Sequence, residues 1–296
     1  MRVAIVDVGS NTVRLLVARA GEGRLEPVLQ DKAYLGLGAE IARTGAISSA
    51  SVQATAAVCG SFAARVRELG ADEAEVIVTA PGRQGQGSEA LLAALRAQTR
   101  LPVRILSAET EGLLAYAGAV ACAVDALPDS VGVVDVGGGS TELVVGNTTT
   151  GARWVDSVDL GSLRLTRLAL PSDPPSRREL AAARVAVRSA MASLSPPIPD
   201  AALAVGGSAR ALAKLVGRTF DADDVGVAVK ILSRRRSAKV ARDVGIDPRR
   251  AGTVLAGALL LGETSRTFGR PLTLGRGGIR EGAALALARA VAADAA

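Results

Sequence analysis

Two stretches of the 296-residue chain set carboxylates beside glycines and hydroxyls at spacings suited to phosphate chemistry. In Val131 to Val145 a β-branched run leads to Asp135, then Gly137, Gly138 and Gly139, then Ser140, Thr141 and Glu142, then a second apolar run. Glycines let a turn adopt positive φ and let an anion approach the main chain, while hydroxyls and backbone N–H groups supply donors. Asp135 closes one predicted strand and Glu142 opens the next, so both carboxylates can face one turn. That arrangement is expected for a divalent metal held between protein oxygens and a substrate phosphate. Asp7, Gly9, Ser10, Asn11 and Thr12 stand between apolar runs in the same way near the start of the chain. Two copies predict two equivalent hairpins, one from each half of a duplicated core; if the halves close on each other, both turns meet at one cleft.

Three further segments carry weaker signals. Gly206-Gly207-Ser208 lies between a predicted strand, Leu203 to Val205, and a predicted helix, and describes a place for a phosphate or the sugar of a nucleotide. Arg83 lies in the glycine-rich APGRQGQGSE, between a strand and a helix. It either sets a guanidinium against an anion near a helix N-terminus or belongs to an exposed basic loop. Glu109 and Glu111 open a helix running to about Val124. They either complement its dipole, or one faces the cleft, where burial would raise its pKa into the range useful for a general base. The basic turn Arg234-Arg235-Arg236 reads as solvated surface.

The elements that must position these residues are built from an unusual palette. Hydrophobic residues make up 49% of the chain but aromatic ones only 2%, so the core falls to Ala, Val and Leu. The length and the repeat predict two lobes, 1–124 and 125–296, with the terminal helix able to pack back on the first. The absence of histidine excludes imidazole metal sites and Ser-His-Asp triads, leaving acid and base work to carboxylates, Lys, Tyr or Cys. A net charge of +6 permits polyanionic partners, but no nucleic-acid motif supports such a partner and none is expected. Cys59 and Cys122 read as reduced core thiols of a cytoplasmic protein. Met1 leads directly into a strand pattern, so no leader peptide is expected, and no apolar run reaches membrane-spanning length.

Asp7-x-Gly9-Ser10-Asn11-Thr12-x-Arg14-Leu15 and Asp135-x-Gly137-Gly138-Gly139-Ser140-Thr141-Glu142, with Gly206-Gly207-Ser208, resemble the exopolyphosphatase and guanosine pentaphosphate phosphatase (Ppx/GppA) family of the actin, sugar kinase and Hsp70 superfamily. The resemblance runs from Val3 to about Leu287. It implies an α/β fold of two ribonuclease-H-like lobes with an interlobe cleft, and hydrolysis of the terminal phosphoanhydride of polyphosphate with Mg2+, or Mn2+ in its place. It also implies Glu111 as the base for the attacking water, Asp7, Asp135 and Glu142 as the acidic metal set, and Arg83 and Arg164 as phosphate-gripping arginines. Gly278-Ile279-Arg280-Glu281-Gly282 matches the family's closing element and reads as architectural. A homodimer is likewise implied.

The chain departs from the family pattern at two places. Around the base, Ala108-Glu109-Thr110-Glu111-Gly112-Leu113 keeps the second glutamate of Gly-x-Glu-Glu-Ala-Arg but not its acidic neighbour or the arginine. After Arg83, Gln84-Gly85-Gln86-Gly87 replaces an acidic residue, Ala, any residue and Asn. The chain also lacks the C-terminal HD-type domain of longer relatives, and a preference for short polyphosphate is expected. Guanosine pentaphosphate 5′-phosphatase is the nearest rival reading, followed by a weakly active or inactive binder of polyphosphate or guanosine tetraphosphate, and then by a kinase on the same fold.

Overall fold

The computed structural model describes residues 1–21 and 24–294. The chain divides into two compact units, Met1–Cys122 with Gly277–Ala296, and Ala123–Arg276. The segment from Gly277 onward is thus grouped with the first unit.

In the first unit β1 (Arg2–Val8), β2 (Thr12–Gly21), β3 (Arg24–Tyr34), β4 (Glu73–Val78) and β5 (Val103–Ile105) form one sheet in the order β3-β2-β1-β4-β5. β1 to β3 form an antiparallel meander, and β4 and β5 add parallel to β1. Strands covered on both faces read as continuous apolar runs, and side chains alternate between the two faces. Ala4, Val6, Val8, Leu15 and Val17 accordingly pack with α2 (Ser49–Glu68) and α4 (Ser88–Thr99) through Cys59, Phe62, Leu91 and Leu95. Val3, Ile5, Leu16 and Ala18 pack the other way, with Leu114, Ala283 and Ala284.

The glycine-rich segment holding Arg83, weighed as an exposed loop, opens with a short helix, and another short helix follows β3. α1 (Leu37–Thr44) is bracketed by Gly36 and Gly45, both left-handed, and buries Leu37 and Ile41. α3 (Ala80–Gln84) holds Arg83 and starts with Pro81 in its first turn, where a missing N–H costs nothing. Ser107 caps α5 (Ala108–Ala121) by accepting from Thr110 N at 3.0 Å.

The C-terminal helix, Ile279–Asp294, meets α5 through glycines. A Cβ on Gly282 would overlap the Leu114 carbonyl, and one on Gly118 would lie 2.7 Å from Gly282 N and closer still to the Gly278 carbonyl. Gly282→Ala should therefore cost roughly 3 kcal/mol, the upper end for overpacking, measured by urea unfolding. Gly226→Ala is the matched control: its Cβ meets open space on a helix, and a gain of about 0.5–1 kcal/mol is expected.

The second unit repeats the topology. β6 (Ser130–Val136), β7 (Thr141–Asn147), β8 (Gly151–Val158), β9 (Ala201–Val205), β10 (Thr219–Phe220) and β11 (Leu272–Leu274) run in the order β10-β11-β9-β6-β7-β8. Here β8-β7-β6 is the antiparallel meander, and β9 joins β6 in parallel. Helices α6 (Ser162–Ala169), α7 (Arg177–Met191), α8 (Gly206–Val216), α9 (Ala222–Leu232), α10 (Ser237–Val244) and α11 (Val254–Phe268) surround it, with a 3-10 helix at Pro248–Thr253. One apolar cluster joins Val134, Leu143, Leu212, Leu260 and Phe268. This 3-10 turn leads directly into α11.

Both free cysteines lie in the first unit. Burial, aided by the charge of Asp7, pushes the Cys59 thiol up to about 12 from 9.0. Burial likewise raises Cys122 to about 11, with Glu281 adding to it. Because the folded pKa of Cys59 lies above the unfolded one, stability should be flat below pH 9. It should fall as pH rises from 9 toward 12, by about 1.4 kcal/mol per pH unit for this buried thiol. Urea midpoints at pH 8 and 10.5, compared with Cys59→Ala, check the slope.

Candidate active site

Each unit presents its chemistry at the carboxyl ends of its parallel strands, where open α/β sheets bind ligands. In the first unit Asp7 lies near the end of β1, Arg83 follows β4 on α3, and Glu111 follows β5 in the first turn of α5. The parallel register of β4 and β5, Val78 opposite Ile105, brings these last two segments side by side. Glu111 is only 3% exposed, and its Oε1 accepts from Arg83 Nη1 in an ion pair. Arg83 Nη1 also donates to the Leu106 carbonyl at 2.5 Å. The guanidinium expected to grip phosphate thus holds the carboxylate expected to act as base.

The two hairpins superimpose in register. Gly9 N donates to Thr12 O at 3.0 Å in one turn, and Gly137 N to Ser140 O at 3.0 Å in the other. Asp7 stands opposite Arg14, and Asp135 opposite Glu142. Directly opposed residues of an antiparallel pair share a face. Following the rows one strand further gives Asp7, Arg14, Lys32 in the first unit and Asp135, Glu142, Ser157 in the second. The first row thus carries its own cations, and Arg14 Nε donates to Thr12 Oγ1 at 3.2 Å. The second sets two carboxylates together, with Ser157 Oγ donating to Glu142 Oε1 at 3.2 Å.

Around Asp135 the backbone crowds in. Gly206 opens α8 at φ +83, and Asp135 Oδ1 occupies the place its Cβ would take. The Arg250 guanidinium lies in the same way on Gly207, and Gly161 lies on the Gly138–Gly139 peptide. Ser162 N and Ser162 Oγ donate to the Gly137 carbonyl at 2.9 and 3.0 Å, and Leu163 N to the Gly138 carbonyl at 3.0 Å. The first turn of α6 therefore takes up carbonyls of the glycine turn. Ser140, Thr141 and Ser208 are buried, and two of their hydroxyls are engaged: Thr141 Oγ1 donates to Leu160 O at 2.8 Å, and Ser208 Oγ to Val136 O at 2.9 Å. Arg164 on α6 pairs with exposed Asp159 at 2.6 Å.

The donor set fits a hard divalent ion. Among the described residues no three carboxylates or thiols converge as a cage. Mg2+ is commonly held by only one or two carboxylates, keeping waters and substrate phosphates as its other ligands. Asp135 and Glu142 supply such a pair, whereas Asp7 shares its face with Arg14. Sequence reading quoted Arg14 without a role and passed over Arg250 and Ser157. Aligning the two hairpins position by position would have exposed Arg14 as the counterpart of Glu142; nothing local marks Arg250, which lies 43 residues from the glycine it covers.

Two sheets of one topology, each with a carboxylate-bearing hairpin and glycine turn at the carboxyl ends of its parallel strands, define a duplicated α/β fold. A profile of the Ppx/GppA phosphatase family matches residues 16–290, and the chain belongs to that family. Its two sheet-containing lobes are those of the actin and Hsp70 type. Exopolyphosphatase 1 of Mycobacterium tuberculosis is 30% identical over 285 residues, covering 90% of this chain and 82% of the relative. Exopolyphosphatase 2 of the same organism is 28% identical, covering 97% and 98%. The crystal structure of the Aquifex aeolicus Ppx/GppA family member is 26% identical with a TM-score of 0.82, covering 98% of each chain.

Proposed function

We propose that the chain is an exopolyphosphatase that removes the terminal phosphate of inorganic polyphosphate with Mg2+. The observation that supports this reading best is the buried Glu111, placed at a strand end in a chain related to two exopolyphosphatases. Water attacks the terminal phosphorus, its bond to the bridging oxygen breaks, and the shortened chain leaves with that oxygen. Glu111 orients the water and takes its proton. Arg83 fixes the Glu111 carboxylate and offers its remaining N–H groups to phosphate oxygens. Ser10 to Thr12 and Gly138 to Ser140 supply donors to non-bridging oxygens, with Arg164, Gly206 and Gly207 as further contacts. Asp135 and Glu142 would hold the metal, with Asp7 as a further carboxylate for it. Bound Mg2+ would neutralise charge on the phosphate oxygens. Two free thiols fit a reducing, cytoplasmic compartment, and no helix among the described residues is long and apolar enough to cross a membrane.

One observation favours a second reading. The Arg83–Glu111 ion pair, with the altered residues around both, suits a protein that binds polyphosphate or guanosine tetraphosphate and turns it over slowly. Phosphate release from short polyphosphate, long polyphosphate and guanosine pentaphosphate, measured side by side with Mg2+, decides between them. Release from polyphosphate that vanishes in Glu111→Gln supports the proposal. Tight binding without release would establish the binder, and faster release from guanosine pentaphosphate would reassign the substrate.

A further inference from the structure

The positive charge of this chain is concentrated in one place. The first unit carries fourteen basic and fourteen acidic residues, so the net +6 belongs to the second. Within it, residues 234–250 hold seven basic and two acidic side chains, a net +5 in 17 residues. These residues form the turn before α10, α10 itself and the start of the 3-10 helix.

Folding does not account for this concentration. Arg234, Arg235 and Arg236 crowd the N-terminus of α10, the end whose dipole disfavours cations. Asp243 pairs with Arg235 and Asp247 with Arg249. Among the described residues no ion pair involves Arg234, Arg236, Lys239 or Arg242, and all four are exposed. Arg236, Lys239 and Arg242 recur every three residues on one side of α10, opposite buried Val240 and Ala241. The platform is pinned at both ends. Ser237 N and Oγ donate to Asp173 at 2.8 and 2.7 Å, and Lys214 Nζ donates to the carbonyl of the left-handed cap Gly245. The basic segment ends at Arg250, whose guanidinium covers Gly207 beside Asp135. A cationic face about 12 Å long on α10 is therefore joined through the 3-10 helix to Arg250 at the Gly206–Gly207 turn.

We propose that this face, Arg234, Arg236, Lys239 and Arg242, is a second anion-binding surface that carries the stretch of a polyphosphate chain beyond its terminal phosphates. The assignment rests on the polyphosphate reading of the site. It makes the enzyme a better catalyst for long chains than for short ones, the reverse of the short-chain preference expected from the sequence. A flexible polyanion needs spaced cations rather than a shaped pocket, because each phosphate presents the same charge and acceptors.

The test compares wild type with the triple variant Arg236→Ser, Lys239→Ser, Arg242→Ser, on tripolyphosphate and on polyphosphate of about a hundred units. A second triple, Arg177→Ser, Arg178→Ser, Arg184→Ser, removes the same net charge from exposed positions on α7. The first variant should lose roughly tenfold in kcat/KM on the long chain, from three exposed ion contacts, with tripolyphosphate changed less than twofold. Equal losses on both substrates, no loss on the long chain, or the same loss in the α7 variant would each overturn the proposal. Equilibrium binding of both polyphosphates to the same proteins is read in parallel. If wild type hydrolyses neither, the enzymatic reading fails, while the long-chain affinity difference still decides the surface. Equally tight binding of a single-stranded RNA, weakened by the same substitutions, would make this a general polyanion face and defeat the proposal.

Discussion

Glu111→Gln is expected to lower kcat by roughly a thousandfold on polyphosphate while KM stays within a few fold. The amide is isosteric and still offers an oxygen to Arg83 Nη1, so the buried pocket keeps its hydrogen bond and loses only its base. Arg83→Ala tests the other half of the pair and should behave differently. It leaves a carboxylate that is 3% exposed without its guanidinium, and breaking a buried pair this way costs about 3 kcal/mol of stability. It should also lower kcat, because Glu111 loses the group that orients it, besides raising KM through lost phosphate contacts. Arg83→Lys keeps the charge but not the reach of Nη1, which alone donates to both Glu111 and the Leu106 carbonyl, nor the remaining planar N–H groups, so partial rescue is expected. Steady-state kinetics with thermal melts on the three variants check this. Near-normal turnover in Glu111→Gln would remove the residue from the mechanism. An Arg83→Ala variant altered in KM alone would restore the simpler picture of a phosphate clamp.

The difference between those pictures shows where sequence reading stops. The hairpins were legible because a glycine run between β-branched runs has few other conformations, and Asp135 and Glu142 fall on opposed positions whenever the turn is tight. The helix of Glu111 was legible from its first-turn glutamates. The Arg83–Glu111 contact was not, since it joins residues 28 apart and exists only because β4 and β5 lie parallel with their ends level. Local pattern carries no information about which parallel strand neighbours which. α1 was not legible because an eight-residue helix between two left-handed glycines has the composition of a loop, and the burial of Leu37 and Ile41 that helps stabilise it is a tertiary contact. The buried hydroxyls of Thr141 and Ser208 looked like ligand donors because Ser and Thr serve backbone and ligand alike; which partner they take depends on the neighbouring chain.

Gly206→Ala should impair the metal site without touching a carboxylate. The glycine has φ +83, and Asp135 Oδ1 fills the space of the missing Cβ, so a methyl group there must displace the carboxylate that faces Glu142 across the hairpin. Changing a group that positions a ligand typically costs 10- to 100-fold in metal affinity, and the half-saturating Mg2+ concentration should rise by about that factor. Asp135→Asn removes the charge in place and should lower kcat/KM by roughly a hundredfold or more, because phosphoryl transfer depends mainly on positioning and electrostatics. The two variants differ in rescue: excess Mg2+ should restore much of the activity of Gly206→Ala and little of that of Asp135→Asn. Gly217→Ala separates displacement from backbone strain, for Gly217 has φ +95 with nothing within 4 Å of its would-be Cβ. It should lower stability by about 1–3 kcal/mol and leave the Mg2+ requirement unchanged. If Gly206→Ala behaved like Gly217→Ala, Asp135 would tolerate displacement, and its carboxylate would serve to hold the start of α8 rather than the metal.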